Sequence, residues 1–216
     1  MPPVISVVGK SNSGKTTLIE KLVQELTSRG YRVATIKHAP QGVSYDETGK
    51  DSWRHLQAGS KVTAISSPEK IVIVKPVEQD SKLDDVAYVL GEDYDIILAE
   101  GFKQDNAPKI EAHLEGSGSL LKGVKKLVAI VTDEPLDTKI RRFSPENITD
   151  LANLLEQGFI KPQKERISLY VNNTPINLTA FPRQIITNVL LTMVSSLKGI
   201  GKIRSLDIFL RKDSRG

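Results

Sequence analysis

The sequence predicts an α/β fold in which a mostly parallel sheet is flanked by helices. Residues 4–9, "VISVVG", form a short apolar, β-branched run that is typical of a buried strand. Residues 15–29 show the apolar spacing of an amphipathic helix that ends at Gly30, and "RVATIKH" is a second buried strand. Strand, helix and strand in this order form a βαβ unit, whose right-handed crossover joins parallel strands. Further apolar runs that alternate with helical patterns extend the same sheet.

The other elements of the main fold follow from the same signals. A loop covers residues 38–50, a short helix follows in which Asp51 caps the first turn and Gly59 ends it, and the strands "KVTAISS" and "KIVIVKP" are close enough to pair. We then expect the amphipathic helix "LDDVAYVLG", the buried strand "YDIILAEGF", the alternating strand "KIEAHLE" and the buried strand "KKLVAIVTDE". The helix "SPENITDLANLLEQG" is predicted with Ser144 at its cap and Pro145 at its first position.

The pattern breaks at residues 158–166, which divides the chain into two predicted regions. Residues 1–160 form the main domain. Residues 167–211 form a small β-β-α-β appendage, with a hairpin that turns at Asn172 and Asn173, the helix "FPRQIITNVLLTMVSSLKG" and a last strand "KIRSLDIFLRK". The appendage carries no motif with an assignable chemistry, and the broad apolar face of its helix is expected to be packed.

Composition excludes several classes of protein. The 216 residues carry a formal net charge of +4, and the segment from Lys198 to Arg215, with six basic and two acidic residues, accounts for all of it. Because the rest of the chain is neutral, a protein that wraps nucleic acid is not expected. The chain has no cysteine, which excludes disulfides, thiolate metal sites and cysteine nucleophiles. No leader peptide and no apolar run of membrane-spanning length is visible, so we expect a cytoplasmic protein with no membrane partner.

Residues 9–17, "GKSNSGKTT", carry the strongest motif. They fit G-x-x-x-x-G-K-[ST] between a strand and a helix, which predicts a phosphate-binding P-loop and a P-loop NTPase type of fold. In such a loop, backbone amides and the helix N-terminus bind phosphates, the lysine reaches the β- and γ-phosphate oxygens, and the hydroxyl ligates Mg²⁺. The predicted nucleotide-binding residues of the loop are Gly9, Lys10, Ser11, Asn12, Ser13, Gly14, Lys15, Thr16 and Thr17.

An acidic residue at the end of a neighbouring strand is expected to complete the magnesium site. Four apolar residues after Asp95 bring Glu100 to the carboxyl edge of the sheet. Glu100 is expected to hold Mg²⁺ through water or to orient the attacking nucleophile, and a solvated strand end is the alternative. Thr16 and Glu100 are therefore the predicted metal residues, and Lys15 and Glu100 the predicted catalytic residues.

Lys10 places a second ammonium close to the phosphates. The loop resembles the deviant P-loop of dimeric ATPases, in which a lysine at this place reaches the partner's nucleotide, although Ser11 and Asn12 stand where that pattern has two glycines. A role across a dimer, local neutralisation of phosphate and a solvated side chain all remain open for Lys10.

The nucleotide base is not specified by the usual guanine motif, because no Asn-Lys-x-Asp sequence occurs. Asp133, which follows the strand "LVAIV", is the candidate. A carboxylate at this edge accepts hydrogen bonds from guanine N1–H and N2–H₂, and adenine offers no such pair. A turn or cap role for Asp133 is the alternative.

Four segments together resemble the MobB family, the GTP-binding adaptors of molybdopterin-guanine dinucleotide biosynthesis. They are "VVGKSNSGKTTLIEKLVQEL", "VATIKH", "YDETGKDSWRHLQAGS" and "YDIILAEGFK", in order across residues 4–103, with weaker similarity through "VAIVTDEP". The resemblance implies a homodimeric P-loop protein that binds GTP and Mg²⁺ and hydrolyses GTP weakly. It also implies that the protein assists a MobA-type guanylyltransferase and molybdopterin-loaded proteins in molybdenum cofactor biosynthesis.

Carried over by position, the resemblance assigns Glu100 and Gly101 to the acidic strand end, and it assigns to phosphate and Mg²⁺ the residues Gly9, Gly14, Lys15, Thr16 and Thr17. It places a further group beside the site: Lys37, His38, Asp46, Asp51 and Arg54. Residues 39–41, "APQ", stand where family members often have further histidines, so no role is assigned to a histidine cluster. His38 is predicted to be a hydrogen-bonding residue rather than a metal ligand.

Two other functions remain open. An ATP-dependent small-molecule kinase would use the same P-loop and Mg²⁺, with Glu100 as base and an acceptor held by Asp51 and Arg54. The segment "GSGSLLKGVKK" is glycine-rich and basic but lacks the arginines of a kinase lid, which favours the adaptor. In the second of these hypotheses, which is purely structural, the nucleotide holds a dimer together and is not usefully turned over.

Overall fold

The computed structural model describes residues 1–42, 49–163, 166–172, 174–176 and 178–210. The strands are β1 (Val4–Val8), β2 (Val33–Lys37), β3 (Thr63–Ser66), β4 (Ile71–Val74), β5 (Ile96–Glu100), β6 (Lys109–Ala112), β7 (Leu127–Val131), β8 (Arg141–Phe143), β9 (Leu169–Val171) and β10 (Thr174–Ile176). The α-helices are α1 (Lys15–Ser28), α2 (Asp51–Gln57), α3 (Leu83–Leu90), α4 (Ile148–Leu155) and α5 (Ala180–Ser195). The chain divides into two compact units, residues 1–164 and residues 165–216.

The first unit is built on a six-stranded sheet with the order β2-β5-β1-β6-β7-β8. All five pairs of neighbouring strands in it are parallel. The predicted α/β class, a mostly parallel sheet flanked by helices, is therefore confirmed. Because parallel strands end at one edge, the segments that follow β1, β5, β6 and β7 lie side by side at the carboxyl edge of the sheet.

Each face of the sheet is covered by different helices. Helices α1 and α4 cover one face, where Leu22, Leu26 and Leu155 are fully buried against strand residues. Helix α3 covers the other face through Leu83 and Ala87. Burial of a leucine side chain contributes about 1.5–3 kcal/mol, so these contacts fix the position of α1, and with it the loop that precedes α1.

The C-terminal end of α1 follows the prediction. Gly30 has φ +87° and its N–H donates to the Thr27 carbonyl at 2.9 Å, while Tyr31 N–H donates to the Leu26 carbonyl at 3.1 Å. A positive φ at this place suits glycine, because other residues carry a Cβ that crowds the left-handed conformation. Arg29 ends the helix and donates to Glu156 at 2.7 Å, which joins α1 to the segment after α4.

The prediction at the start of α4 was wrong. The helix begins at Ile148, and its cap is Asn147, whose side chain accepts a hydrogen bond from the Asp150 N–H at 3.3 Å. Ser144 instead accepts from the Glu146 N–H at 3.3 Å and so forms a turn before the helix. Asn and Ser are comparably good caps, and the choice between them depends on where the preceding strand releases the chain.

That preceding strand, β8, was not predicted. It pairs with β7 in parallel, with Ala129 opposite Arg141 and Val131 opposite Phe143. Beyond α4 the chain continues as a π-helical turn, Glu156–Ile160, and a 3₁₀ turn, Lys161–Gln163, rather than breaking at residue 158.

Strands β3 and β4 form a separate antiparallel hairpin, as their spacing predicts. Just before it, α2 begins at Asp51 and ends before Gly59, which has φ +105°. The cap position is Lys50, so Asp51 does not cap α2 as expected; it accepts a hydrogen bond from Arg54 in the first turn at 3.4 Å.

The second unit contains the predicted hairpin and helix. Strands β9 and β10 pair antiparallel across Asn172, which has φ +51°, and α5 follows. The predicted last strand is not formed by residues 202–210, which have no regular secondary structure; the rest of that prediction lies outside the described residues. Within the part of the chain that the structure describes, no helix is long and apolar enough to cross a membrane.

Candidate nucleotide-binding site

The P-loop lies between β1 and α1, and its first glycine is required by a close approach to β6. A Cβ on Gly9 would lie 2.4 Å from the Ala112 carbonyl oxygen and 2.3 Å from Ser13 Oγ. Real Cβ atoms do not approach so closely, so any larger residue would push the loop away from the sheet. The loop also contains two residues with positive φ, Asn12 at +58° and Gly14 at +80°.

The N-terminus of α1 is suited to an anion. Its cap position is Gly14, and no side chain accepts a hydrogen bond from the amides of the first turn there. The first turn contains no acidic residue that would offset the partial positive charge of the helix end. These amides and the helix dipole therefore favour a phosphate group above the loop.

Lys15 is already directed along the loop. Its Nζ donates to the Lys10 carbonyl oxygen at 2.6 Å, and the Ser13 N–H lies 3.3 Å from the same oxygen. The Lys15 ammonium therefore lies at the loop itself. A phosphate bound there would give it a charged hydrogen-bond acceptor in place of the neutral Lys10 carbonyl. Charge-assisted hydrogen bonds are about twice as strong as neutral ones, so phosphate competes well for Lys15.

Thr16 and Glu100 converge, as the sequence predicts for a magnesium site. Strand β5 lies next to β1 with Glu100 opposite Val7, and Thr16 Oγ1 donates to Glu100 Oε2 at 3.0 Å. Lys37, at the end of β2, lies 4.0 Å from the other Glu100 oxygen. A hydroxyl and a carboxylate at hydrogen-bond distance are hard oxygen donors of the type that Mg²⁺ prefers.

The donor set suits Mg²⁺ better than a transition metal. Among the described residues, no group of three or more His, Asp or Glu side chains forms a metal cluster. Mg²⁺ is usually held by one or two protein oxygens together with waters and substrate phosphates, and Thr16 and Glu100 supply such a pair. The residues present therefore fit this ion.

His38 is a hydrogen-bonding residue within the fold. Its Nε2 lies 2.9 Å from an Asp80 carboxylate oxygen, and its ring stacks on Phe102 with centroids 4.4 Å apart. Gly101, with φ +97°, permits this packing, because a Cβ there would lie 3.0 Å from the His38 Cβ. The imidazole thus orders the segments that leave β2 and β5, next to Glu100.

Hydrogen bonds from the Lys109 side chain hold the loop that follows Gly101. This lysine is fully buried, and its ammonium donates to the carbonyls of Asp105 and Ala107. Burial lowers the pKa of Lys109, because the charged form loses its water. Lys109 and Glu111 are polar positions of the alternating segment "KIEAHLE", and both are buried, with backbone groups of the flanking loops as their partners.

Of the remaining residues implied by the family resemblance, the described ones, Asp51 and Arg54, do not contact the P-loop. Asp51 and Arg54 pair with each other at 3.4 Å on an exposed face of α2. Asp46 lies outside the described residues.

Asp133 lies at the other end of the carboxyl edge, after β7. Its Oδ1 accepts a hydrogen bond from Ser144 Oγ at 2.7 Å, and Ser144 directly follows β8. Arg142 donates to the Glu134 carbonyl at 3.0 Å and so braces the same turn. Asp133 is exposed, which leaves it accessible to a ligand, and Ser144 holds its carboxylate in one place. The contact between Ser144 and Asp133 was not predicted, because β8 itself was not predicted.

An open pocket of about 390 Å³ lies beside Glu100, between α1 and the edge strand β2. Ile19 and Val23 of α1 form its apolar part, and Glu20 and Lys37 contribute charged groups. The pocket is continuous with the Thr16 and Glu100 pair, so a second molecule held there would lie close to the end of a triphosphate.

A further set of contacts lies on the β6 side of the P-loop. Lys10 Nζ donates to the Ser117 carbonyl, and His113 lies within reach of both Ser117 and Glu134. Of these residues only Lys10 lies in a sequence motif; His113, Ser117 and Glu134 carry no short motif that would single them out.

Taken together, the sheet order, the glycine-dependent loop and the Thr16 and Glu100 pair define a P-loop NTPase type of protein. Comparison with known proteins is more specific. The family model "MobB: Molybdopterin guanine dinucleotide synthesis protein B" matches residues 4–133. The chain therefore belongs to the MobB family.

Curated relatives agree with this assignment. The chain is 35% identical over 156 residues to a molybdopterin-guanine dinucleotide biosynthesis adapter protein of Haemophilus influenzae, covering 71% of this chain and 88% of the relative. It is 29% identical over 167 residues to the Escherichia coli protein of the same name, covering 74% and 95%. Among solved structures, a MobB homolog from Bacillus stearothermophilus matches with a TM-score of 0.55 at 26% identity, over 74% of this chain and 99% of that one.

Proposed function

We propose that this chain is a GTP-loaded adaptor in the biosynthesis of molybdopterin guanine dinucleotide. The observation that carries the proposal is the pairing of Thr16 with Glu100 at 3.0 Å beside a P-loop with an uncapped helix N-terminus. In this proposal, the loop amides and Lys15 bind the phosphates, and Thr16 and Glu100 hold Mg²⁺. When bound, Mg²⁺ neutralises charge on the phosphate oxygens.

Guanine is the proposed base, and Asp133 its proposed reader. Support comes from the position of Asp133 at the carboxyl edge and from the Ser144 hydroxyl, which fixes one carboxylate oxygen at 2.7 Å. A carboxylate that is held in place loses less conformational freedom when it accepts the paired N–H groups of guanine.

Hydrolysis of GTP is proposed to be weak. Activation of a water requires a base with an accessible lone pair, and Glu100 already contacts Thr16 with one oxygen and Lys37 with the other. Because both of its oxygens already have partners, the Glu100 carboxylate is better suited to binding the metal than to accepting a proton from water. Turnover on this chain alone is therefore expected to be slow.

The proposed partners are a MobA-type guanylyltransferase and molybdopterin-loaded proteins, in the cytoplasm. The names of the curated relatives, which are adapter proteins of molybdopterin-guanine dinucleotide biosynthesis, support this assignment. We also propose a homodimer. The β3-β4 hairpin supports it, because Ile65, Ile71 and Ile73 are 41–68% exposed, and isolated two-stranded hairpins are marginally stable in water.

The alternative, an ATP-dependent small-molecule kinase, is favoured by one observation. The pocket beside Glu100 is large enough for a small acceptor, and it lies where a γ-phosphoryl group would be transferred. Asp51 and Arg54, the expected acceptor-binding pair, are engaged with each other instead. The acceptor site of a kinase would therefore have to use Lys37 and Glu20.

Calorimetric titration of GTP and ATP in the presence of Mg²⁺ separates the two proposals. Lys15→Ala serves as the blank, because it removes the ammonium that pairs with the phosphates. A preference for GTP supports the adaptor. A preference for ATP contradicts it and directs attention to the acceptor pocket. Sedimentation of wild type and Ile71→Asp tests the dimer, which the charged variant is expected to weaken.

A further inference from the structure

The P-loop is held on both sides, because β1 lies between β5 and β6 in the sheet. On the β5 side the contact is from Thr16 to Glu100. On the β6 side it is from Lys10 Nζ to the Ser117 carbonyl, in the loop formed by residues 114–121, hereafter the 114–121 loop. Lys10 thus makes its contact within its own chain.

The 114–121 loop is closed by a turn at its start and is fixed to β6 at its end. The Ser117 N–H donates to the Leu114 carbonyl at 3.0 Å, which closes a turn at the start. Glu111 is 1% exposed and its Oε1 accepts from the Leu121 N–H at 2.7 Å, which fixes the end. A loop anchored in this way holds the Ser117 carbonyl, and therefore the ammonium of Lys10, in a defined place.

His113 connects this loop to the turn that carries Asp133, which is the proposed base end of the nucleotide site. It follows β6 directly, is 5% exposed, and its Nε2 lies 3.0 Å from Glu134 Oε2. Its Nδ1 lies 3.5 Å from Ser117 Oγ, at the outer limit of a hydrogen bond. The Glu134 N–H donates to Thr132 Oγ1 at 3.1 Å, in the same turn that carries Asp133.

These contacts form one continuous path, from the Asp133 turn through Glu134, His113 and Ser117 to Lys10. The contacts are partly buried, and His113 itself is buried, so the imidazole cannot rotate without leaving Glu134 or Ser117 without its partner. The path joins the P-loop to the turn that carries Asp133, which are the two ends of the proposed nucleotide site.

We infer that His113 is a positioning residue for nucleotide binding, which acts through Ser117 on the Lys10 ammonium and couples the base end to the phosphate end in one chain. The inference rests on the proposed binding of a nucleotide at the P-loop. Lys10 then acts within its own subunit. The glycine-rich 114–121 loop then supports the P-loop on the β6 side, as Glu100 does on the β5 side.

A double-mutant cycle tests the coupling. His113→Leu removes both polar contacts and retains bulk, Lys10→Met removes the ammonium, and the dissociation constant of GTP with Mg²⁺ is measured for wild type, both single variants and the double variant. We expect each single variant to weaken binding about 3- to 10-fold and the double variant to bind no more weakly than Lys10→Met. Independent, multiplying effects would overturn the inference.

Two controls separate positioning from loss of fold. His55→Leu is the matched control, because His55 is exposed on α2, and it should bind GTP as wild type does. His113→Gln, which can still contact Glu134 or Ser117, should restore part of the lost affinity. Equal thermal unfolding midpoints for His113→Leu and His113→Gln, with different affinities, support the inference. Affinities that simply follow the unfolding midpoints contradict it.

Amide hydrogen exchange of the free protein gives a readout that needs no nucleotide. If His113 positions Lys10, His113→Leu should accelerate exchange at residues 10–13, and His55→Leu should not. Unchanged exchange at residues 10–13 overturns the inference, whatever the titrations give. Absence of GTP binding by the wild type would instead contradict the proposed function, and exchange would still decide the coupling.

Discussion

The two ends of the carboxyl edge of the sheet differ in how readily their residues are recognised in the sequence. At the phosphate end, Gly9, Lys15 and Thr16 belong to one continuous motif, and one neighbouring strand supplies Glu100. At the proposed base end, Asp133 accepts a hydrogen bond from Ser144, which follows a strand that no sequence pattern marks. A continuous motif and the polar end of an apolar strand can thus be recognised in the sequence, whereas the contact of Asp133 with Ser144 cannot, because it depends on a strand that no pattern marks.

Gly9→Ala should produce the largest effect, at the phosphate end. Its Cβ would lie 2.4 Å from the Ala112 carbonyl oxygen, so the loop must move away from β6. Such overpacking costs about 1–3 kcal/mol of stability, and we expect nucleotide binding to be lost as well. Urea unfolding and calorimetry measure the two effects. Gly158→Ala is the matched control, since nothing lies within 4 Å of the added Cβ; wild-type affinity in Gly9→Ala would contradict the account.

Glu100→Gln should act on the metal alone. The amide retains a hydrogen bond with Thr16 but loses the charge that holds Mg²⁺, so we expect the affinity gain produced by Mg²⁺ to fall about 10- to 100-fold. Titrations of GTP with Mg²⁺ and with EDTA measure this gain. Glu20→Gln, in the same pocket, should leave it unchanged. An equal effect of both variants would indicate a general loss of negative charge rather than a metal site.

Ser144→Ala should have a smaller effect, confined to the base end. Loss of the 2.7 Å hydrogen bond frees the Asp133 carboxylate, and a hydrogen bond to a charged group contributes about 1.5–3 kcal/mol at most. We therefore expect GTP affinity to fall several-fold while ATP affinity stays the same. A parallel loss for both nucleotides would mean that Ser144 supports the fold of α4 and not the reading of the base.

Glu156→Gln should change nucleotide binding at neither the phosphate end nor the base end, so it is the reference variant for the comparison. Hydrogen bonds from Lys161, Arg29 and Tyr31 lower the pKa of Glu156 to about 2. Because the folded pKa lies below the unfolded value of 4.5, the stabilisation is present above pH 4.5 and is lost as the pH falls towards 2. Free energies of unfolding of wild type and variant should differ at pH 7 and converge near pH 2. Constant separation over this range would rule out the ion pairs as the cause.

Much of the fold could be read from local patterns. Strands β1, β2, β5 and β7 are apolar runs bounded by turn residues, and α1 has both a clear period and a glycine end. Strand β8 has only three residues, two of them arginines, and forms because β7 offers it an edge. Lys109 and Glu111 on β6 are likewise buried, because the loops that flank this strand fold back and contact them. Such elements are decided by tertiary contacts, which outweigh propensity.

The same division applies to the candidate site. The convergence of Thr16 with Glu100 could be predicted, because the motif fixes one residue and the strand end fixes the other. The contact of Lys10 with Ser117 could not, because the 114–121 loop has no pattern that sets its path over the P-loop. His38 was predicted as a hydrogen-bonding residue, but its partner Asp80 lies 42 positions away.

The most direct test of a site with a phosphate end and a separate base end is the nucleotide preference of Asp133→Asn. Guanine donates through N1–H and N2–H₂ to a carboxylate, whereas xanthine carries a carbonyl oxygen at C2 and pairs with an amide instead. Affinities of wild type and Asp133→Asn for GTP and xanthosine triphosphate are measured with Mg²⁺. The account predicts that the variant loses GTP affinity and gains affinity for xanthosine triphosphate, with the phosphate end unaltered. Unchanged preference for GTP in Asp133→Asn would contradict the assignment of the base end.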